Sequence, residues 1–198
     1  MNQQQAWAGD WGNAYTTRNR VDWRKRVPFW ANIMQEIGAR SVLEIGCNAG
    51  WNLSAIKAAA PWATVRGIDV NASAIKQACV AGLDAWLETI EARVEKTEAC
   101  HELVFTAGVL IHISPAGLEP MMRNIIALSN RWVLAVEYES EAEAEVIYRG
   151  EKDMLWKRPF GRLYQDMGLK LVSPQYAVGK ESAFDNCNVS LLEKPNAQ

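Results

Sequence analysis

Glu44, Gly46, Gly50 and Asp69 are the residues whose types and spacing could do chemistry in this chain. The first three fall within Val-Leu-Glu-Ile-Gly-Cys-Asn-Ala-Gly-Trp-Asn, residues 42 to 52, where a short apolar run ends in an acid and a glycine turn. Ser41 to Ile45 reads as a strand, Gly46 and Gly50 punctuate a loop, and Leu53 to Ala60 has a helical pattern. Strand, glycine loop and helix in that order form a nucleoside pocket at the end of a sheet strand.

The spacing separates the nucleosides that compete for such a loop. A dinucleotide fingerprint needs Gly-x-Gly-x-x-Gly, so that the backbone can close on a pyrophosphate at a helix N-terminus. Here Asn48 stands in place of the second Gly, and the next Gly comes too early. Glu44 adds an anion at the strand end, which suits a cationic ligand better than a phosphate. S-adenosylmethionine, with its sulfonium and ammonium, is such a ligand. A second strand-like run, Thr64 to Ile68, leads into Asp69-Val70-Asn71, about 20 residues beyond the loop, where an acid meets ribose hydroxyls. Asn48 can occupy a glycine-like slot because Asn enters the left-handed region more readily than other side chains. Taken singly, each piece reads equally well as an apolar strand ending in a turn, with an acid that only caps a helix. In register, and with a third segment running from Glu102 to Pro115 through Gly108 and His112, they form a combination.

On these segments the chain resembles class I S-adenosylmethionine-dependent methyltransferases, and within them the pseudaminic acid biosynthesis-associated methylases. The resemblance extends from Trp11-Gly12-Asn13-Ala14-Tyr15 and Arg18-Asn19 to Glu137-Tyr138, Tyr148-Arg149-Gly150, Asp153, Lys157-Arg158 and Leu191-Leu192-Glu193-Lys194. It implies an α/β, Rossmann-like, seven-stranded and mostly parallel sheet flanked by helices, with the last strand antiparallel. It also implies that S-adenosylmethionine is held by Arg18, Glu44, Gly46, Cys47, Asn48, Gly50, Asn52, Asp69, Val70, Thr89, Ala107 and Gly108. Tyr15, Arg149 and Arg158 would meet the substrate, and Glu137, at the fifth strand's end, would face it as a catalytic residue. The chain departs from the family pattern at Glu151, where a His is expected, and over Ser140 to Ala144, where a proline is expected.

The strands expected are Ser41 to Ile45, Thr64 to Ile68, Ala85 to Ile90, Leu103 to Ala107, Trp132 to Glu137, Lys170 to Ala177 and Asn188 to Glu193. Their alternation with helices implies a parallel sheet with right-handed crossovers. At 198 residues and 49% hydrophobic, the chain suits one domain. Residues 1–38 form its N-terminal helical cap, with Trp7, Trp11, Tyr15, Trp23 and Trp30 either packing onto the sheet edge or lidding the cofactor. Trp51 either packs on the first helix or faces the sulfonium. No apolar run is long enough to span a membrane and the polar start lacks a signal peptide's regions, so a cytoplasmic protein is expected. Cys47, Cys79, Cys100 and Cys187 are scattered and read as free thiols. Glutamates alternating from Glu137 to Glu145 lack partners that would define a metal cage, and no metal is expected.

A net charge of −2 argues against a generic nucleic-acid binder. Arg149, Lys152, Lys157, Arg158 and Arg162 nevertheless cluster, which suits an anionic group on a small acceptor or, alternatively, a solvated face of paired charges. Methyl transfer asks mainly for placement. A hydroxyl or amine acceptor also has a proton to lose, and His112, just beyond the fourth strand, is the candidate base; otherwise it is a structural His bonded to backbone. The expected reaction is methylation of a small polar acceptor, with a sugar or nucleotide-linked sugar hydroxyl leading. Methylation of an RNA base or amino group, and a non-catalytic S-adenosylmethionine sensor or scaffold, are the alternatives.

Overall fold

The computed structural model describes residues 3–96 and 101–195; Cys100 lies outside them. In chain order the elements begin with α1 (Gln3–Ala8), α2 (Asp10–Arg18) and α3 (Val27–Ile37), then β1 (Ser41–Ile45), α4 (Trp51–Ala59), β2 (Thr64–Asp69), α5 (Ala72–Val80) and β3 (Asp84–Leu87). They continue with α6 (Ile90–Lys96), β4 (His101–Ala107), α7 (Pro115–Leu128), β5 (Ser129–Glu137), β6 (Ala144–Glu145) and β7 (Trp156–Lys157). α8 (Phe160–Asp166), β8 (Lys170–Leu171), β9 (Tyr176–Val178) and β10 (Cys187–Glu193) complete the chain.

The main sheet runs β3-β2-β1-β4-β5-β10-β8, with β9 also on β10. Neighbours from β3 to β5 pair in parallel, and β10 runs antiparallel to β5. The sheet has eight strands where seven were expected. Lys170 to Ala177, expected as one strand, is two short ones that pair with opposite ends of β10. Pro174 lies between them and has no N–H for the ladder, so the strand position is interrupted. β3 stops at Leu87, short of the expected Ile90, because Thr89 caps the following helix through a bond from Ala92 N at 3.2 Å; β4, β5 and β10 begin one to three residues before their expected starts, and β6 pairs with β7 as a separate ribbon.

β1 shows why the strands read as continuous apolar runs: they are covered on both faces. Val42 packs with Trp30, Ile56 and Phe105 on the α3–α4 side, while Leu43 and Ile45 pack with Ile125 and Phe160 on the α7–α8 side. Glu44 falls on the Val42 face by the two-residue period, under α4, and is the polar exception in this strand's interior. At the loop after β1 the chain turns on Gly46 and Gly50, at φ 74° and 80°, with Asn48 between them at 48°.

Gly50 and Gly82 share nearly the same backbone, φ 80° and 75°, but not the same surroundings. A Cβ on Gly50 would stand 2.3 Å from Leu83 Cδ1, whereas one on Gly82 meets nothing within 4 Å. Both alanine variants carry the left-handed backbone cost; only Gly50→Ala adds overpacking, about 1–3 kcal/mol. Urea unfolding should therefore show the larger loss for Gly50→Ala, and equal losses would contradict this packing.

Candidate functional site

A cavity of ≈ 1540 Å³ lies at the carboxyl ends of the parallel strands, where β1 and β4 feed crossovers to opposite sides. One half is built by the ends of β1 and β2. Ile68 O accepts from Gly46 N at 2.8 Å and from Cys47 N at 3.0 Å, which folds the glycine loop back onto β2. Asp69 Oδ2 accepts from Asn48 N and Oδ1 from Asn71 N, both at 2.8 Å. Burial raises the Asp69 pKa, and those backbone donors oppose the rise. Each carboxylate oxygen keeps acceptor capacity toward the cavity that Asp69 lines.

Glu44 also lines this half and is 2% exposed. Its Oε1 accepts from Asn52 Nδ2 at 2.6 Å, and Asn52 Oδ1 in turn accepts from Arg26 Nη1 at 2.9 Å and Trp30 Nε1 at 3.2 Å. Glu44 Oε2 is buried with no hydrogen-bond partner. An unmet buried acceptor costs about 1–3 kcal/mol, more when charged, so this oxygen suits a cationic group of a ligand. Burial pushes the carboxyl up to about 8, against the Asn52 amide and the Arg26 guanidinium.

The other half is walled by the segment after β4, by α1 and by the arm that carries β6 and β7. His112 Nδ1 lies 2.7 Å from Met154 O. A carbonyl only accepts, so Nδ1 carries the proton and Nε2 of the neutral ring is left as an acceptor. Burial lowers the His112 pKa to about 4, so the ring is neutral at ordinary pH. Its ring centroid is 4.5 Å from that of Trp7 and 5.3 Å from that of Tyr148. Arg149, in the left-handed region at φ 55°, reaches over Tyr148 and has no ion pair among the described residues.

Of the residues expected at the site, Arg18, Glu44, Gly46, Cys47, Asn48, Asn52, Asp69, Val70, Thr89, Ala107, Gly108, Tyr15, Arg149 and His112 line this one cavity, as does Trp51. Gly50 stands behind it as a turn residue. Two further expectations need correction. Glu137 is fully buried and is no wall of the cavity: its Oε1 accepts from Val109 N and Leu110 N at 3.1 and 3.2 Å, so it holds the segment leading to His112 from beneath. Arg158 is 1% exposed and lies outside the lining, because Glu143 Oε2 at 2.6 Å and Ile113 O at 3.0 Å hold its guanidinium. Arg162 pairs with Asp166 along α8. Sequence reasoning did not single out Arg26, or Gln3 and Asp185, which also line the cavity. Arg26 is one of three cations in Trp-Arg-Lys-Arg, and its bonds to Asn52 Oδ1 and Ala183 O, 26 and 157 residues away, distinguish it. Among the described residues no helix is long and apolar enough to cross a membrane, and no group of His, Cys, Asp and Glu could hold a metal.

Solved structures share this architecture. The 1,6-didemethyltoxoflavin-N1-methyltransferase of Burkholderia thailandensis, solved with 1,6-didemethyltoxoflavin and S-adenosylhomocysteine, superposes with a TM-score of 0.71 at 16% identity, over 97% of this chain and 85% of that one. Magnesium protoporphyrin IX methyltransferase of Synechocystis PCC 6803, solved with bound S-adenosylmethionine, gives 0.68 at 12% identity over 98% of both chains. A further S-adenosylmethionine-dependent methyltransferase, from Archaeoglobus fulgidus, gives 0.67 at 12% identity over 93% of this chain and 100% of that one. The fold is that of class I methyltransferases. No protein-family model and no curated protein matches the chain.

Glu44 sets a pH dependence. With a folded pKa near 8 against an ordinary 4.5, the folded protein keeps a proton that the unfolded chain has released. Its contribution is present at low pH and lost as the pH rises through about 8. The thermal midpoint of the ligand-free protein should therefore fall between about pH 5 and pH 9, and fall less in Glu44→Gln. An identical slope in the variant would contradict the assignment.

Proposed function

We propose that the protein transfers a methyl group from S-adenosylmethionine to a small, anionic, polar acceptor, with a sugar or nucleotide-linked sugar hydroxyl as the leading case. The observation that carries this reading is the cavity. At ≈ 1540 Å³ it exceeds the roughly 300–1,000 Å³ that one small ligand takes, and its halves differ in chemistry. One presents Asp69 and the unpartnered Glu44 Oε2, which fit a ribose diol and an ammonium. The other presents a neutral imidazole among aromatic rings, with Arg149, which has no ion pair among the described residues. The resemblance to the pseudaminic acid-associated methylases supports a sugar, and Arg149 supports an anion.

When bound, S-adenosylmethionine supplies a methyl group already activated by its sulfonium. The chain's own work is placement and proton handling. Asp69 and Glu44 fix the donor at one end, and Tyr15 and Arg18 close over it. His112 Nε2 takes the hydroxyl proton of the acceptor while Nδ1 stays on Met154 O. A base with a pKa near 4 is weak, and an anionic acceptor beside it strengthens it by favouring the imidazolium. Glu137 contributes from beneath, holding the segment that leads to His112 without touching the acceptor.

Transfer of labelled methyl from S-adenosylmethionine tests this reading, against a panel of free sugars, nucleotide sugars and an RNA pool. Product should appear with an anionic sugar, and His112→Ala should lower kcat by about 10²–10⁴-fold while cofactor affinity holds. Label in RNA alone would select the RNA reading. No label anywhere, with the cofactor bound, would favour a sensor.

A further inference from the structure

α1 and α2 are thinly attached to the molecule they cover. Among the described residues α1 buries only Ala6, and α2 only Gly12 and Thr16. Much of their hold is polar: Gln3 Nε2 donates to Asp153 O and Gln3 Oε1 accepts from Ser114 N, each at 2.9 Å. Asn71 Nδ2 donates to Trp7 O and to Asn13 Oδ1, each at 3.0 Å. Their large side chains Trp7, Trp11 and Tyr15 are only half-buried, and segments with so few fully buried apolar residues open locally at low cost.

Asn71 belongs to both sides of this contact. It stands two residues past Asp69 and is 2% exposed. Its backbone N–H donates to Asp69 Oδ1, and its Oδ1 accepts from Ala74 N to cap α5. That leaves Nδ2 for the two covering helices. Gly12 approaches so closely that a Cβ there would lie 2.7 Å from Asn71 Nδ2. The same cover carries Trp7 to His112, and Tyr15, Arg18 and Asn19 to the wall of the one cavity that Asp69 also lines. A ligand resting on Asp69 touches those residues only when the cover is seated, and such a difference in contacts is what lets a ligand shift an equilibrium.

We propose that Asn71 is a positioning residue that couples cofactor binding at Asp69 to the seating of α1 and α2, so that the acceptor wall of Trp7 and His112 assembles once the cofactor is in place. The acceptor therefore binds second. The inference rests on reading the cavity as an S-adenosylmethionine site, and it adds the order of binding and the residue that enforces it.

The test is amide hydrogen exchange of residues 3–18, with and without saturating S-adenosylhomocysteine, in the wild type, Asn71→Ser and Asn13→Ala. Serine keeps the cap on α5 but loses the amide donor; Asn13 is exposed, so its variant removes one tie without burdening the fold. In the wild type the ligand should slow exchange of these helices about tenfold, a typical coupling between sites, and in Asn71→Ser by less than about twofold. Asn13→Ala should fall between. Ligand that binds the wild type without slowing exchange, or equal slowing in all three proteins, would overturn the coupling while leaving the cofactor reading intact. A folded wild type that does not bind S-adenosylhomocysteine at all would overturn the cofactor reading, and the coupling with it.

Discussion

Asp69 accepts one backbone N–H on each carboxylate oxygen, from Asn48 on one side and Asn71 on the other, each at 2.8 Å. The rest of the site depends on that arrangement. The first bond holds the glycine loop after β1 against the end of β2; the second holds the turn into α5, whose Asn71 side chain in turn holds the covering helices. A partly buried carboxylate is costly unless its lone pairs are met, and the loop and the turn supply donors that keep it at the strand end. Neither neighbour is free to move without leaving Asp69 short of a partner.

Two buried glutamates, Glu44 and Glu137, show how position on a strand decides use. Glu44 sits inside β1 on the α4 face, keeps one oxygen without a partner, and lines the cavity. Glu137 ends β5 on the opposite face, near Tyr164, spends one oxygen on the backbone of Val109 and Leu110, and leaves Oε2 likewise without a hydrogen bond among the described residues, but it lines no part of the cavity. Burial raises both, to about 8 and about 7. The first faces a ligand space, where a cation would draw it back to its charged form. The second is a support for the segment ahead of His112.

Local pattern carried much of the fold. Apolar runs bounded by glycine or proline marked β1, β4 and α7, because covered parallel strands and a Pro-headed helix write themselves in consecutive residues, whereas β2 exposes Thr64 and Arg66 and was marked by the acid that ends it. The split of Lys170 to Ala177 was written there too, in Pro174. The site was legible where the chain itself brings groups together, as at Glu44, Gly46, Asn48 and Asp69. It was not legible where partners are distant. Arg158 reads as a free cation in a basic run, and only Glu143 and Ile113, 15 and 45 residues away, bury it. Arg26 reads like its neighbours until Asn52 and Ala183 reach it. Strand period placed Glu137 at a strand end but could not say that the segment before His112 would fold over it.

Calorimetric titration of S-adenosylmethionine into the wild type and Asp69→Ala, with NAD as control, tests the central claim most directly. The carboxylate at the end of β2 should hold the ribose, so the wild type should bind S-adenosylmethionine and not NAD. Asp69→Ala should bind about 10- to 100-fold more weakly, as expected for losing hydrogen bonds to a charged group. Undiminished affinity in the variant, or preference for NAD in the wild type, would contradict it.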